Sequence, residues 1–375
     1  MRAIVFTDRA LDRQAGRFVW LSVDTENDKN EAFLEKYPIE AYPTLLVIDP
    51  STEKPVLRWV GSATVGQLEK LLDDGERAWL GKGTGADATL AEADRLLGVG
   101  RDEEAAAAYR KALAEATTSW PGRDRTVESL LSLMADPKSA KDCVAFARSE
   151  LPKERNAHFA NVAAAGVGCA AALEGAEKAP AVTEFEAAVR SAASGEPRIE
   201  MTPDDRSGLY AALVDARKES GDEAGAKKVA AEWLAFLMTE ADRAPSVEAR
   251  TALDSQIVNA AIACGEPARA LPALERAAKE LPNDYNPPAR LAYVLTEIGR
   301  YDEALAAADR ALLLVYGPRK LRVYSTKAGI LEKKGDKDAA KTVLRDALKY
   351  AETLPKSMVS PRAVKAIGER LAKIG

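Results

Sequence analysis

Three cysteines, Cys143, Cys169 and Cys264, and one histidine, His158, are the residues of this 375-residue chain whose types offer nucleophilic, redox or metal chemistry. Thiol exchange needs a thiolate of lowered pKa with a second sulfur in reach, usually at a helix N-terminus. None of the three has that setting. Cys143 and Cys169 fall in Ala- and Val-rich helical stretches, and Cys264 directly precedes Gly265 at a predicted turn. Widely spaced and odd in number, they argue against a disulfide framework, so each reads as a packed small hydrophobe, with Cys264 the most exposed. His158 precedes Cys169 by eleven residues. On one straight helix that spacing returns to the same face about 16 Å further along, out of contact. A single histidine does not support a zinc site or a Ser-His or Cys-His couple, and it reads as a surface or hairpin-contact residue. Acidic runs such as Asp73-Asp74 and Asp102-Glu103-Glu104 lie at predicted helix ends, where they face the N-terminal dipole or solvent rather than a cation. The predicted catalytic residues, cofactors and metals are therefore none.

Phosphate chemistry has one candidate, Gly81-Lys82-Gly83-Thr84-Gly85. A phosphate loop requires a strand feeding into it and a GK[ST] at its end, and neither is present. The composition predicts a linker, taken as residues 81–87. Bulk properties exclude further classes. A net charge of −5, with charges of both signs interspersed, leaves no basic patch for nucleic acid. The longest uncharged stretch, Ala157 to Leu173, falls short of the roughly 20 apolar residues of a bilayer span and predicts a buried helix.

The elements that must position any site change character along the chain. Up to about Leu80 short β-branched runs alternate with short amphipathic stretches. Phe18 to Asp24, Thr44 to Asp49 and Pro55 to Val60 predict strands, and Lys29 to Tyr37 and Val65 to Trp79 predict helices. After Ala86 strand signals vanish, and helical period is broken by turns at Gly100, Ala135, Gly175, Gly221, Gly265, Gly299 and Gly335. The last three stand 34 and 36 residues apart, the spacing of tetratricopeptide units, about 34 residues.

The clearest copy carries Leu291, Ala292, Leu295, Gly299, Tyr301, Ala304, Ala308 and Ala311 and resembles the tetratricopeptide consensus at its small and apolar positions. Ala270, Leu274 and Ala277, then Ala340, Leu344 and Ala347, repeat the second-helix signature. An early copy gives Leu96, Gly100, Ala105, Tyr109 and Ala112. Small residues at the helix crossing let backbones approach while a large residue one turn away fills the gap. Seven hairpins of uneven quality are expected over residues 88–375, closed by a terminal helix from Pro361 to Ile374.

A second resemblance lies upstream. Glu40-Ala41-Tyr42-Pro43-Thr44-Leu45-Leu46-Val47-Ile48-Asp49 resembles the segment of thioredoxin-like proteins that carries their cis-proline, with Phe18 to Asp24 as the preceding strand and Val56 to Gly61 as the closing one. It covers roughly residues 1–80 and implies an incomplete thioredoxin-like domain in which Tyr42 and Pro43 contact a substrate peptide. The family's Cys-x-x-Cys is absent, and Met1-Arg2-Ala3-Ile4-Val5-Phe6-Thr7-Asp8 resembles the helix that follows it. The expectation is that Met1 is internal, that the chain starts mid-helix, and that a central strand lies upstream.

The combined expectation is α/β followed by all-α, a partial thioredoxin-like fold and then a tetratricopeptide-like α-solenoid. Its predicted function is protein binding without thiol-redox activity, the partner being a protein or peptide in the solenoid groove. The alternatives are an oxidoreductase whose cysteine pair lies upstream, and a scaffold whose first 80 residues only cap the solenoid. Groove-facing positions are expected at Asn259, Arg290, Tyr293 and Arg322, where an amide and two guanidinium groups offer bonds to a peptide backbone and a carboxylate. The clamp by which related repeats hold chaperone tails is matched only loosely, since Ser255 and Thr326 stand where Lys and Arg belong. The compartment is left open between the bacterial envelope, where a related family often sits, and the cytoplasm.

Overall fold

The structure, a computed structural model, describes all residues except 1–4, 40–41, 82–83, 135–136, 153 and 375. A short helix α1 (Glu31–Lys36) precedes strands β1 (Thr44–Asp49) and β2 (Lys54–Val60) and helix α2 (Val65–Trp79). Helices then follow one another: α3 (Ala86–Gly98), α4 (Asp102–Glu115), α5 (Arg123–Leu133), α6 (Ala140–Glu150), α7 (Ala157–Ala171) and α8 (Lys178–Ser194). Next come α9 (Pro203–Glu219), α10 (Glu223–Arg243), α11 (Val247–Thr251), α12 (Asp254–Ala263) and α13 (Leu271–Glu280). The chain closes with α14 (Asn286–Glu297), α15 (Tyr301–Leu314), α16 (Arg319–Lys334), α17 (Lys337–Ala351) and α18 (Pro361–Lys373). Two compact units result, one of Met1–Phe18 with Ile39–Trp233, the other of Val19–Pro38 with Leu234–Gly375.

In the first unit β1 and β2 pair antiparallel, Thr44 opposite Val60 and Val47 opposite Leu57, with an irregularity after Val47. They form the only sheet among the described residues. Thr64 and Gln67 form a capping box that starts α2, satisfying donors the first turn leaves unpaired. The buried stripe Leu68, Leu71, Leu72 and Gly75 turns α2 onto the hairpin, where Leu57 and Trp59 complete the core. α3 packs on β2 and on α2, so the hairpin and α2 cover the first helical pair.

Both strands of the hairpin and α2 lie where the sequence predicts them, and α1 matches the predicted helix within its bounds. Phe18 to Asp24 does not form the predicted strand: residues 19–24 carry no regular structure and Val19 and Leu21 are exposed. Val19 to Asp24 fall in the second unit, where Tyr316 donates to Asp24. Of the predicted mid-helix start, Met1 to Ile4 lie outside the described residues, while Val5 to Thr7 form a turn and Arg9–Gln14 a single stretch of 3-10 helix.

The helices pair about the predicted turns: α3/α4 at Gly100, α7/α8 at Gly175, α9/α10 at Gly221, α12/α13 at Gly265, α14/α15 at Gly299 and α16/α17 at Gly335. All six glycines have positive φ. The turn expected at Ala135 lies outside the described residues, between α5 and α6. At five of the turns the N–H after the glycine donates to a carbonyl five residues back: Arg101 to Leu96, Asp222 to Arg217, Glu266 to Ala261, Arg300 to Leu295 and Asp336 to Leu331. This Schellman arrangement satisfies carbonyls that the helix end would orphan, and it needs a left-handed residue in which a side chain is strained. The small residues read as crossing points are fully buried, among them Ala105, Ala112, Ala270, Ala277, Ala304, Ala308, Ala311, Ala340 and Ala347, as are Tyr109, Leu274 and Leu344. Ile367 and Ile374 at the C-terminal helix join the buried cluster of α16 and α17, closing the last apolar face as expected.

The cysteines correct the sequence reading. Cys143 on α6 and Cys169 on α7 are disulfide-bonded with Cα atoms 5.8 Å apart, and only Cys264 is free. Consecutive antiparallel helices return the chain beside itself about one repeat later, so a separation of 26 residues becomes contact.

Candidate functional site

In the second unit α12 lies against α14 and α14 against α16, so the first helices of the last three hairpins form one layer. Asn259 and Tyr293 each stand six residues before a turn glycine, and both are exposed. The equivalent third position is Gly329, over which Arg370 of α18 reaches, donating to the Ser325 carbonyl at 2.9 Å and to Glu332 at 2.8 Å. The layer thus presents an amide, a phenol and, nearer the start of α16, the exposed Arg322, and α18 bounds it.

Arg290 has a different setting. It is half-buried, its charge shared between Asp254 and Asp284, and burial holds its pKa below the ordinary guanidinium value. Asp254, the first residue of α12, is only 1% exposed, and its Oδ2 has no hydrogen-bond partner. Burial pushes its carboxyl up to about 7 although Arg290 and Arg250 pull the other way. Arg250 pairs with Glu280, which Arg276 also holds at 3.1 Å. Sequence reasoning overlooked Asp254, because an acid at a first helical position is ordinary and its burial is visible only in the fold.

The residues weighed for chemistry are placed as follows. Tyr42 is exposed at the head of β1, and the Tyr42–Pro43 peptide is cis. Nδ1 of His158 lies 2.8 Å from Glu128 Oε1, so the ring bridges α7 and α5 as a hairpin contact. The free thiol of Cys264 donates to the Ala261 carbonyl at 3.3 Å. Among the described residues no three His, Cys, Asp or Glu side chains are grouped to hold a metal, and no helix is long and apolar enough to cross a membrane.

The first unit holds a cleft of about 370 Å³ between β2, the end of α2 and α3. Its guanidinium groups are engaged: Arg77 with Asp74, Arg95 with Glu92, and Arg125 with both Asp74 at 3.0 Å and Asp94 at 2.9 Å. Tyr109 donates to the same Asp94 at 2.7 Å. Desolvation raises the Asp94 pKa against the pull of Arg125, and raises that of Tyr109. This network ties α2, α3, α4 and α5 together and leaves the cleft no uncommitted cation among those named.

Comparison with known proteins agrees with the helical array. The tetratricopeptide repeat family matches residues 261–319, which contain the Gly265 and Gly299 turns. No curated protein matches the chain. A solved tetratricopeptide repeat protein from Parabacteroides merdae is 11% identical, covering 78% of this chain and 100% of its own, with a TM-score of 0.40. The yeast Sti1 TPR2AB domain, solved with an Hsp90 peptide, is 13% identical over 77% of this chain and 98% of its own, with a TM-score of 0.29. A Rap protein complexed with competence and sporulation factor is 14% identical over 82% of both chains, with a TM-score of 0.39. What is established is a chain of helical hairpins with tetratricopeptide-type repeats near its C-terminal end.

Proposed function

We propose that this chain is a protein-binding module whose C-terminal hairpins hold an extended peptide or a partner's helix against α12, α14 and α16. The observation that carries the reading is the recurrence of exposed Asn259 and Tyr293 at one repeat position on adjacent helices, with Arg322 on the next. An amide bonds a peptide backbone, a phenol supplies apolar area with a polar tip, and a guanidinium binds a carboxylate in a forked geometry. Arg290 supports the end of this face rather than its middle, since it already shares its charge with Asp254 and Asp284. The test is selection of a peptide from a displayed library on the intact chain, followed by titration. Asn259→Ala with Tyr293→Ala and Arg322→Ala weakens that peptide at least tenfold; retention of affinity within twofold would discard the groove.

The same reading divides the chain into residues 1–80, a linker at 81–87 and the repeats at 88–375, with the first part a thioredoxin-like remnant that offers Tyr42 and Pro43 to a peptide. Support comes from the two antiparallel strands and closing helix in the family's order and from the exposure of Tyr42, while α1 belongs to the second unit. The packing of α3 on β2 favours a capping role for this segment beside any binding role. Insulin reduction by this chain stays at the uncatalysed rate; turnover would refute the remnant reading.

A further inference from the structure

An acidic strap occupies a prepared surface at the start of α16. The second unit contains Val19–Pro38, far from the rest of that unit in sequence. Within it Asp24, Glu26, Asp28 and Glu31 alternate with polar residues. The strap is shaped from within: Asp24 Oδ1 accepts from the Glu26 N–H at 2.9 Å, and Asn30 donates to the Asp24 carbonyl at 2.8 Å. It is attached to the repeats through its acids. Tyr316 donates to Asp24, Ser357 donates to Glu31, and Glu26 takes two bonds from Arg319, one from the backbone N–H at 3.1 Å and one from Nε at 2.9 Å. Arg319 is itself aimed by a 2.8 Å bond from its guanidinium to the Tyr285 hydroxyl.

The receiving surface is built for close approach. Gly317 takes φ +62, and a Cβ there would overlap the Glu26 carbonyl oxygen. Partial burial opposes the Arg319 charge, yet Tyr285 and Glu26 hold its pKa above the ordinary value. The acidic stretch of the strap brings little apolar area to the contact: no residue from 19 to 30 is buried, and Val19 and Leu21 are exposed, whereas Tyr37, beyond α1, is buried with Phe33 against it. Partly exposed ion pairs contribute little each, so a strap held this way exchanges. A surface that reads two carboxylates two residues apart, through a phenol, a guanidinium and a helix N–H, reads them equally well on another chain.

We propose that the Tyr316-Gly317-Pro318-Arg319 surface is a docking site for acidic extended segments of a partner protein, with the Asp24 to Glu31 strap as its built-in competitor. This site lies in the α15–α16 loop and the first turn of α16, the turn that also carries Arg322 of the proposed groove, and its test reads Arg319, Asp24 and Glu26, none of which the groove reading uses.

The probe is a fluorescent peptide of residues 21–31, followed by anisotropy on the full chain. Wild type binds it weakly because the strap is seated. Asp24→Ala with Glu26→Ala frees the surface and raises affinity at least tenfold, and adding Arg319→Glu returns it to the wild-type value. A peptide with Asn and Gln in place of Asp24 and Glu26 does not bind the freed chain. Hydrogen exchange of residues 19–38 rises in the double variant while that of α14 and α16 is unchanged, which separates release of the strap from unfolding. Equal affinity for wild type and double variant, or affinity that ignores Arg319, overturns the proposal. So does a wild-type dimer in sedimentation that dissociates on the double substitution, because the occupant would then be the strap of a second copy.

Discussion

Asp94 in the first unit and Asp254 in the second are both 1% exposed, and both begin with the same penalty for burying a carboxylate. Their surroundings differ. Asp94 receives two guanidinium bonds from Arg125 and the Tyr109 hydroxyl, while Asp254 keeps an oxygen without a partner and feels Arg290 and Arg250 as charges. Burial is therefore a poor guide to what an acid does for a fold; direct donors decide. The first network locks four helices. The second leaves a carboxyl that titrates near neutrality beside the face proposed to bind peptide.

The strongest test of that contrast is Arg125→Met, which strands Asp94 without its cation. Breaking such a pair costs about 3–5 kcal/mol, read by denaturant unfolding, and a loss below about 1 kcal/mol would remove the distinction. Next is Asp254→Asn. The folded-state pKa of Asp254 is raised to about 7 from 3.8, so its contribution is present in full below the unfolded value and is lost as pH rises through 7. The amide has no such loss. The variant matches wild type at pH 4 and exceeds it by about 4 kcal/mol at pH 8; parallel stability curves would show that Asp254 is not desolvated in solution.

A smaller effect belongs to Tyr109→Phe, which deletes one of the donors to Asp94 and costs about 1 kcal/mol, measured in the same unfolding series. Smallest is Glu26→Ala on the strap. An exposed pair is worth about 0.5 kcal/mol, so the melting temperature barely moves although hydrogen exchange at residues 19–38 rises. A large drop in melting temperature would mean that the strap is part of the core and not an exchangeable occupant.

Much of the helical array could be read from local chemistry. Gly100, Gly221, Gly265, Gly299 and Gly335 mark turns because a Schellman end needs a left-handed residue wherever it occurs, and Ala304, Ala308 and Ala311 mark a crossing because only small side chains fit it. The capped helix Val65–Trp79 and the hairpin strands carry their period and their caps within a dozen residues. Asn259 and Tyr293 share one repeat position, six residues before a turn glycine, and both are exposed.

Long-range placement alone decided the rest. Phe18 to Asp24 has a strand's composition, yet Asp24 at its end takes a bond from Tyr316 almost three hundred residues later and the segment joins no sheet. Cys143 and Cys169 look isolated until α6 and α7 stack. Arg290 reads as a groove residue until Asp254 is found buried beside it without a full set of donors. In each case the residue's own neighbours along the chain define which conformations it can adopt. Its partners are chosen by which elements the fold brings alongside, and the strength of a charge or a hydrogen bond depends on those partners and on the water they exclude.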